Sequence, residues 1–216
     1  MHAAAGTFDN PDEADPGSRP PGEMEPSDDA FEAERERREL ELFEQAEEAM
    51  EEAIEASPEL RQYRENVMVE RTPEGLRVQI LDQDRSPMFP LGSDRMYPHM
   101  RKLLAVVVEA IRDLPNRVSI RGHTDALPFA ADAGYDNWRM SSDRANVTRR
   151  AMVELGFQPG RVADITGKGD SENLIADDAK DPRNRRISLV LLHQPPTEPH
   201  PVRAAAVAGP TPLLHP

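Results

Sequence analysis

The period of apolar and polar residues changes several times along the chain, and each change predicts an element. Over 31–56, Leu40, Phe43, Met50 and Ile54 recur near helical spacing among Glu, Ala and Arg, all good helix formers, and Ser57-Pro58 closes the run. Two short alternating stretches, 67–70 and 76–82, flank Thr72-Pro73-Glu74-Gly75, so they predict a β-hairpin. An irregular stretch at 87–93 follows. Ser93 or Asp94 is then the expected cap of a helix over 96–114, with Pro98 in its first turn. On that helix Met100, Leu103, Leu104, Val107, Val108 and Ile111 draw a wide apolar stripe, the mark of a core element. Pro115-Asn116 breaks it. A strand is expected at 117–122, where Arg117, Ser119 and Arg121 alternate with Val118 and Ile120 and Gly122 ends the run. Beyond a loop over 127–135, a helix opens near Asn137 and ends at a Gly156 cap. Strands at 162–166 and 186–192 flank a polar, acidic loop at 170–182.

The order is hairpin, helix, strand, helix, strand, loop, strand. Each element has one apolar face to bury, which predicts an α+β fold: a mixed β-sheet with helices packed on one face, preceded by an acidic N-terminal helix. The helix between two strands implies a right-handed crossover. If the last strand runs antiparallel beside 117–122, Arg185 falls next to Asp125.

Composition divides the chain further. Residues 1–29 are rich in Pro, Gly, Ala, Asp and Glu and poor in large apolar side chains, so burial cannot offset their ordering entropy, and a disordered acidic segment is expected. A helical linker at 30–65, a single folded domain at 66–193 and a disordered Pro-rich tail at 194–216 complete the expected organisation. With 216 residues and 38% hydrophobic content, one core plus extensions is the natural outcome. The charge is uneven: 21 acidic and 6 basic residues up to Asn66, then 19 and 20, leave −15 and +1. A near-neutral domain offers no net basic face to displace counterions from phosphates, which argues against nucleic acid as a partner. The chain has no cysteine, so disulfides and thiolate metal sites are excluded. No apolar run reaches the length of a membrane span.

Candidate chemistry concentrates at 121–147. Asp125 stands at a strand terminus, and Asn137, Met140, Ser141 and Arg144 share one helical stripe. If that stripe faces the strand end, a carboxylate and a guanidinium converge on one pocket. Such a pocket suits a zwitterion, since arginine takes a carboxylate through a planar two-pronged contact and aspartate pairs with an ammonium. The competing readings are that Asp125 only caps a turn, that Arg144 is a surface residue, or that the two form an internal salt bridge. His123 and Asp125, two residues apart on an extended strand, invite a metal or general-base reading, but no third ligand or nucleophile stands at a recognisable spacing. Gly167-Lys168-Gly169 lacks the remaining residues of a phosphate loop and reads as a turn. Tyr135 and Trp138 flank the stripe, placed either to stack on a sugar or to pack.

Gly122-His123-Thr124-Asp125, then Asn137, Met140-Ser141, Arg144-Ala145 and Asn184-Arg185-Arg186 resemble the signature of OmpA-like peptidoglycan-binding domains. More narrowly, Gly134-Tyr135-Asp136-Asn137-Trp138, Ser142-Asp143-Arg144-Ala145-Asn146 and Gly75-Leu76-Arg77-Val78-Gln79-Ile80 resemble the periplasmic region of the wall-anchoring subunits of flagellar stators, over 43–192. The resemblance implies that Asp125 and Arg144 hold the ammonium and the carboxylate of diaminopimelate in the cell-wall stem peptide. It further implies that Thr124, Asn137 and Met140 line the pocket and that Arg185 is an additional contact. One departure stands out: Pro90 follows Phe89 where many such domains carry Asp, so a subsidiary ligand contact loses its support. The implied role is a non-catalytic anchor of the flagellar motor, with no cofactor and no metal. The implied partners are peptidoglycan, a second copy of the chain, and the stator's channel subunit, the last reached through an inner-membrane helix missing from this sequence. The alternatives are a cell-wall hydrolase using His123 and Asp125, another OmpA-like envelope tether without a motor role, and a scaffold whose partner surface is the acidic helix at 31–56.

Overall fold

The computed structural model describes residues 28–129 and 135–195. The segments expected to be disordered, 1–29 and 194–216, lie outside these residues apart from 28, 29, 194 and 195. The chain runs through α1 (Asp28–Ala56), β1 (Val67–Thr72), β2 (Gly75–Leu81), α2 (Pro98–Ile111), β3 (Val118–His123), α3 (Asn137–Glu154), β4 (Val162–Gly167) and β5 (Arg186–Leu192). The five strands form one mixed sheet in the order β1-β2-β5-β3-β4, in which only β3 and β4 are parallel. The expected antiparallel placement of the last strand is observed, with His123 opposite Arg186.

Period 2 decides what each strand buries. Leu76, Val78 and Ile80 of β2, Val118 and Ile120 of β3, and Ile187, Leu189 and Leu191 of β5 join one core with the α2 stripe and with Ala145, Ala151 and Met152 of α3. On the opposite face Gln79 Oε1 accepts from Arg186 Nε at 2.8 Å and from Ser188 Oγ at 3.0 Å, so those buried polar groups satisfy one another.

α1 belongs to the same core. Phe43, Ala46, Met50 and Ile54 are buried against it, whereas Leu40, counted in the apolar stripe by spacing, is 43% exposed. The phase explains the difference: the position one helical turn before Phe43 on the buried side is Glu39, not Leu40. Glu39 is buried as a carboxylate. It accepts from Asn116 Nδ2 at 2.6 Å and from Gln194 N at 3.0 Å, and its second oxygen lies 2.6 Å from His193 Nδ1. These bonds hold its pKa below the ordinary range even though burial acts to raise it.

α2 begins later than its sequence suggests. Tyr97 occupies the N-cap in an extended conformation with no side-chain cap, and Pro98 is the first helical residue. Proline disfavours the helical conformation in the residue before it, which keeps Met96 and Tyr97 out of the helix. Ser93 Oγ accepts instead from Arg95 N at 3.0 Å, and Tyr97 N donates to Met88 O at 2.9 Å, fixing the 88–97 segment beside the sheet.

Two glycines let α3 lie directly on the strand ends. A Cβ on Gly122 would come 2.0 Å from Ser141 O, and one on Gly167 would meet Ser142 Oγ at 2.1 Å. Only a residue without a side chain fits there, and the close approach brings the first turns of α3 over the C-terminal ends of β3 and β4.

Candidate ligand-binding site

The site assembles where β2, β3 and β5 meet the start of α3. Beyond β3, pairing continues: Thr124 N donates to Gly169 O and Ala126 N to Ala179 O, both at 2.8 Å, which fixes the backbone on either side of Asp125. The Asp125 carboxylate accepts from Leu127 N at 3.3 Å. Because β5 runs antiparallel to β3, Arg185 enters beside it, and Nη1 meets Asp125 Oδ2 at 2.5 Å. Its Nε meets Asp82 Oδ2 at 2.7 Å. Asp82, the residue after β2, also accepts from Met88 N at 2.6 Å through Oδ1.

α3 supplies the rest. Asp136 caps it, accepting from Arg139 N at 2.7 Å, and Met140 and Arg144 are buried one turn apart. Arg144 Nε donates to Ser93 O at 3.0 Å and Nη2 to Pro90 O at 3.3 Å, while its guanidinium carbon lies 4.8 Å from the centre of the Phe89 ring. Thr124, Asp125, Asn137, Met140, Arg144 and Arg185 all line one cleft of about 380 Å³, whose remaining wall is Leu91, Gly92, Leu127, Pro128 and Phe129. All six residues that the resemblance assigned to the pocket are thus brought together, whereas Ser141 of the same helical stripe does not line the cleft.

The competing reading of Asp125 and Arg144 as an internal salt bridge is not what the structure shows. Asp125 is bonded to Arg185 and not to Arg144, and no carboxylate among the described residues lies within ion-pair distance of Arg144. Burial lowers the pKa of Arg144, opposed by the fields of Asp82 and Asp125, and the group stays cationic. For Arg185 burial acts downward too, but its bonds to Asp82 and Asp125 prevail and the pKa is raised. For Asp82 burial wins over Arg185 and the Met88 amide, and the pKa is raised. The Thr124 hydroxyl is buried in the cleft wall and has no hydrogen-bond partner among the described residues.

Asp82 was not legible as a site residue. In the sequence it ends an alternating run ahead of Gln83-Asp84, like any turn aspartate; only the β2–β5 register, with Asp82 N donating to Arg185 O at 3.0 Å, puts it beside the arginine. The three residues of Asn184-Arg185-Arg186 separate in space. Asn184 knits the preceding loop through Ile175 N and Asp178 O, each at 2.8 Å, Arg185 faces the cleft, and Arg186 joins Gln79 on the other face of the sheet.

His123 does not line the cleft. It is buried with Ser188, whose Oγ is 3.5 Å from Nε2, and burial, aided by Arg186 and Lys168, drives its pKa to about 3. A neutral imidazole turned away from Asp125 forms no dyad with it. Among the described residues no group of three or more His, Asp or Glu side chains could hold a metal. Tyr135 donates to Asp143 Oδ2 at 2.5 Å and meets Phe129 edge-on at 5.6 Å; burial and that bond push its pKa to about 12. Trp138 is 54% exposed beside Gly169. Lys168 pairs with Glu172 at 2.7 Å across the turn that the glycines make.

Residues 88–187, which hold all of the cleft, match the OmpA family. Beyond that match, the chain is similar to motility protein B. Motility protein B of Escherichia coli strain K12 is 38% identical over 146 residues, which cover 67% of this chain and 47% of that protein. The chain therefore spans about half the length of the curated relatives it matches. Among solved structures, the periplasmic domain of Helicobacter pylori MotB is similar with a TM-score of 0.55 and 15% identity, covering 64% of this chain and 86% of that one. A MotB-like protein from Desulfovibrio vulgaris matches with a TM-score of 0.55 and 22% identity over 72% of this chain and 99% of its own. At such identities the two structures establish the shared fold.

Proposed function

We propose that this chain is a non-catalytic, periplasmic module that holds peptidoglycan and thereby anchors the stator of a flagellar motor to the cell wall. The observation that carries the proposal is the charge layout of the cleft. Asp125, with its second carboxylate neighbour Asp82 behind Arg185, offers negative charge at the β3 end, and buried Arg144 offers positive charge from α3. The diaminopimelate of the stem peptide ends in an ammonium and a carboxylate on one carbon, so Asp125 takes the first and Arg144 the second. Asn137 adds hydrogen bonds, Thr124 forms part of the wall, and Met140 with Leu127 and Phe129 covers the aliphatic stem. No bond is broken in this mode of binding.

The similarity to motility protein B supports the motor context. In this reading a MotA-type channel subunit is engaged through a membrane-spanning segment, and two copies of the chain act together. No helix of the described residues is long and apolar enough to cross a membrane.

Co-sedimentation with purified diaminopimelate-type sacculi tests the proposal. The native chain is expected to pellet with the wall, and Asp125→Asn, shown to be folded by its melting curve, is expected to stay in the supernatant. Equal pelleting of both would remove the clamp from the account, and release of soluble muropeptides would replace it with hydrolysis.

A further inference from the structure

We propose that Asp82 is a positioning residue that sets the ammonium selectivity of the cleft: by engaging one edge of the Arg185 guanidinium, it leaves Asp125 with negative charge to offer a ligand. The inference rests on the binding reading above and deepens it.

The argument is a charge count at the β-strand end of the cleft. Arg185 stands between two carboxylates, Nε to Asp82 Oδ2 at 2.7 Å and Nη1 to Asp125 Oδ2 at 2.5 Å. One guanidinium shared by two carboxylates leaves a net charge of −1. If Asp82 were neutral, Arg185 and Asp125 would form a self-contained pair with no net charge, and the cleft would carry only the positive charge of Arg144. A ligand bearing a lone carboxylate would then be favoured over a zwitterion. Asp82 is itself 1% exposed and does not line the cleft, so it acts through Arg185 and not by touching the ligand.

The same carboxylate also reaches the other half of the site. Its Oδ1 accepts from Met88 N, at the start of the segment whose Pro90 and Ser93 carbonyls hold the Arg144 guanidinium and whose Phe89 ring stacks on it. One buried side chain thus organises the negative end and braces the positive end. Burial opposes its ionisation, and Arg185 and the Met88 amide act in favour of the carboxylate.

The test is calorimetric binding of two peptides, L-Ala-γ-D-Glu-meso-diaminopimelate with its terminal amine free, and the same peptide with that amine acetylated. The variants are Asp82→Asn, which keeps an oxygen for Met88 N, and the double variant Asp82→Asn/Arg185→Gln, which removes the guanidinium as well and restores the charge of −1 on Asp125. The native chain is expected to prefer the free-amine peptide. Asp82→Asn should lose on the order of tenfold in affinity for that peptide and little for the acetylated one, and the double variant should regain the preference. A purely structural role predicts that both peptides weaken alike and that the double variant is no better than the single one; that result, or an Asp82→Asn indistinguishable from the native chain, overturns the proposal. If Asp82→Asn does not fold, the double variant decides alone, supporting the proposal if it prefers the free amine and overturning it if it does not. A native chain that binds neither peptide removes the wall-binding reading itself, and the inference with it.

Discussion

Gly122→Ala is the substitution for which the structure sets the clearest magnitude. An added methyl would sit 2.0 Å from Ser141 O and 2.9 Å from Ser141 C, whereas real Cβ atoms essentially never come within 3.0 Å of another heavy atom. Strand and helix must therefore separate by about 1 Å, and both obstructing atoms are backbone, so no rotamer change relieves the contact. Overpacking of this kind costs about 1–3 kcal/mol, and a rigid backbone obstacle places Gly122→Ala toward the upper end. The displacement also carries Asn137, Met140 and Arg144 away from Asp125, because all three ride on the helix that moves. Urea unfolding followed by circular dichroism reads the first effect and sacculus co-sedimentation the second. Gly160→Ala supplies the control, since a Cβ there meets nothing within 4 Å. A Gly122→Ala protein with native stability and native wall binding would refute the claim that this close approach builds the site.

Glu39→Gln should lower stability by about 1–2 kcal/mol at neutral pH, through weaker bonds to Asn116, Gln194 and His193. Because the folded pKa of Glu39 is depressed, its contribution is present above the ordinary glutamate value and is lost as pH falls through the folded value; melting curves across that window should show the gap to Glu39→Gln closing. Asp82 has the opposite sign. Its folded pKa is raised, so folding gains stability as pH falls through that value and loses it as pH rises from the ordinary aspartate range, a slope that Asp82→Asn should remove. Arg144→Ala should cost about 2–4 kcal/mol in chemical denaturation, since it abandons two main-chain carbonyls and the Phe89 contact. A loss of wall binding in Arg144→Ala is therefore informative only at a temperature where the variant is folded.

The strands and the core helix were legible because period alone fixes them: β5 falls at the expected residues, and all six apolar positions of the α2 stripe are buried. Caps were less legible. Ser93 looks like a helix N-cap in one dimension, but the bond from Tyr97 N to Met88 O and the conformational restriction before Pro98 move the start of α2. Leu40 misled for a similar reason, since a stripe read from apolar residues alone cannot admit the buried glutamate that continues it. At the site, the family signature carried Asp125, Arg144, Thr124, Asn137, Met140 and Arg185 to one cleft, and the antiparallel last strand put Arg185 at the right end. What the linear sequence lacked was the partner of each charge. Asp125 takes Arg185 because strand register sets their distance, Arg144 takes carbonyls of an irregular loop, and Asp82 enters through long-range pairing of β2 with β5.

The most direct test of the account is an NMR titration of the native chain with the free-amine tripeptide, followed through backbone amides and arginine side-chain resonances. The account predicts saturable shifts centred on Thr124, Asp125, Asn137, Arg144 and Arg185, with the Arg144 guanidinium resonance among the most perturbed. Saturable shifts mapping elsewhere, or none at Asp125 and Arg144, would contradict it.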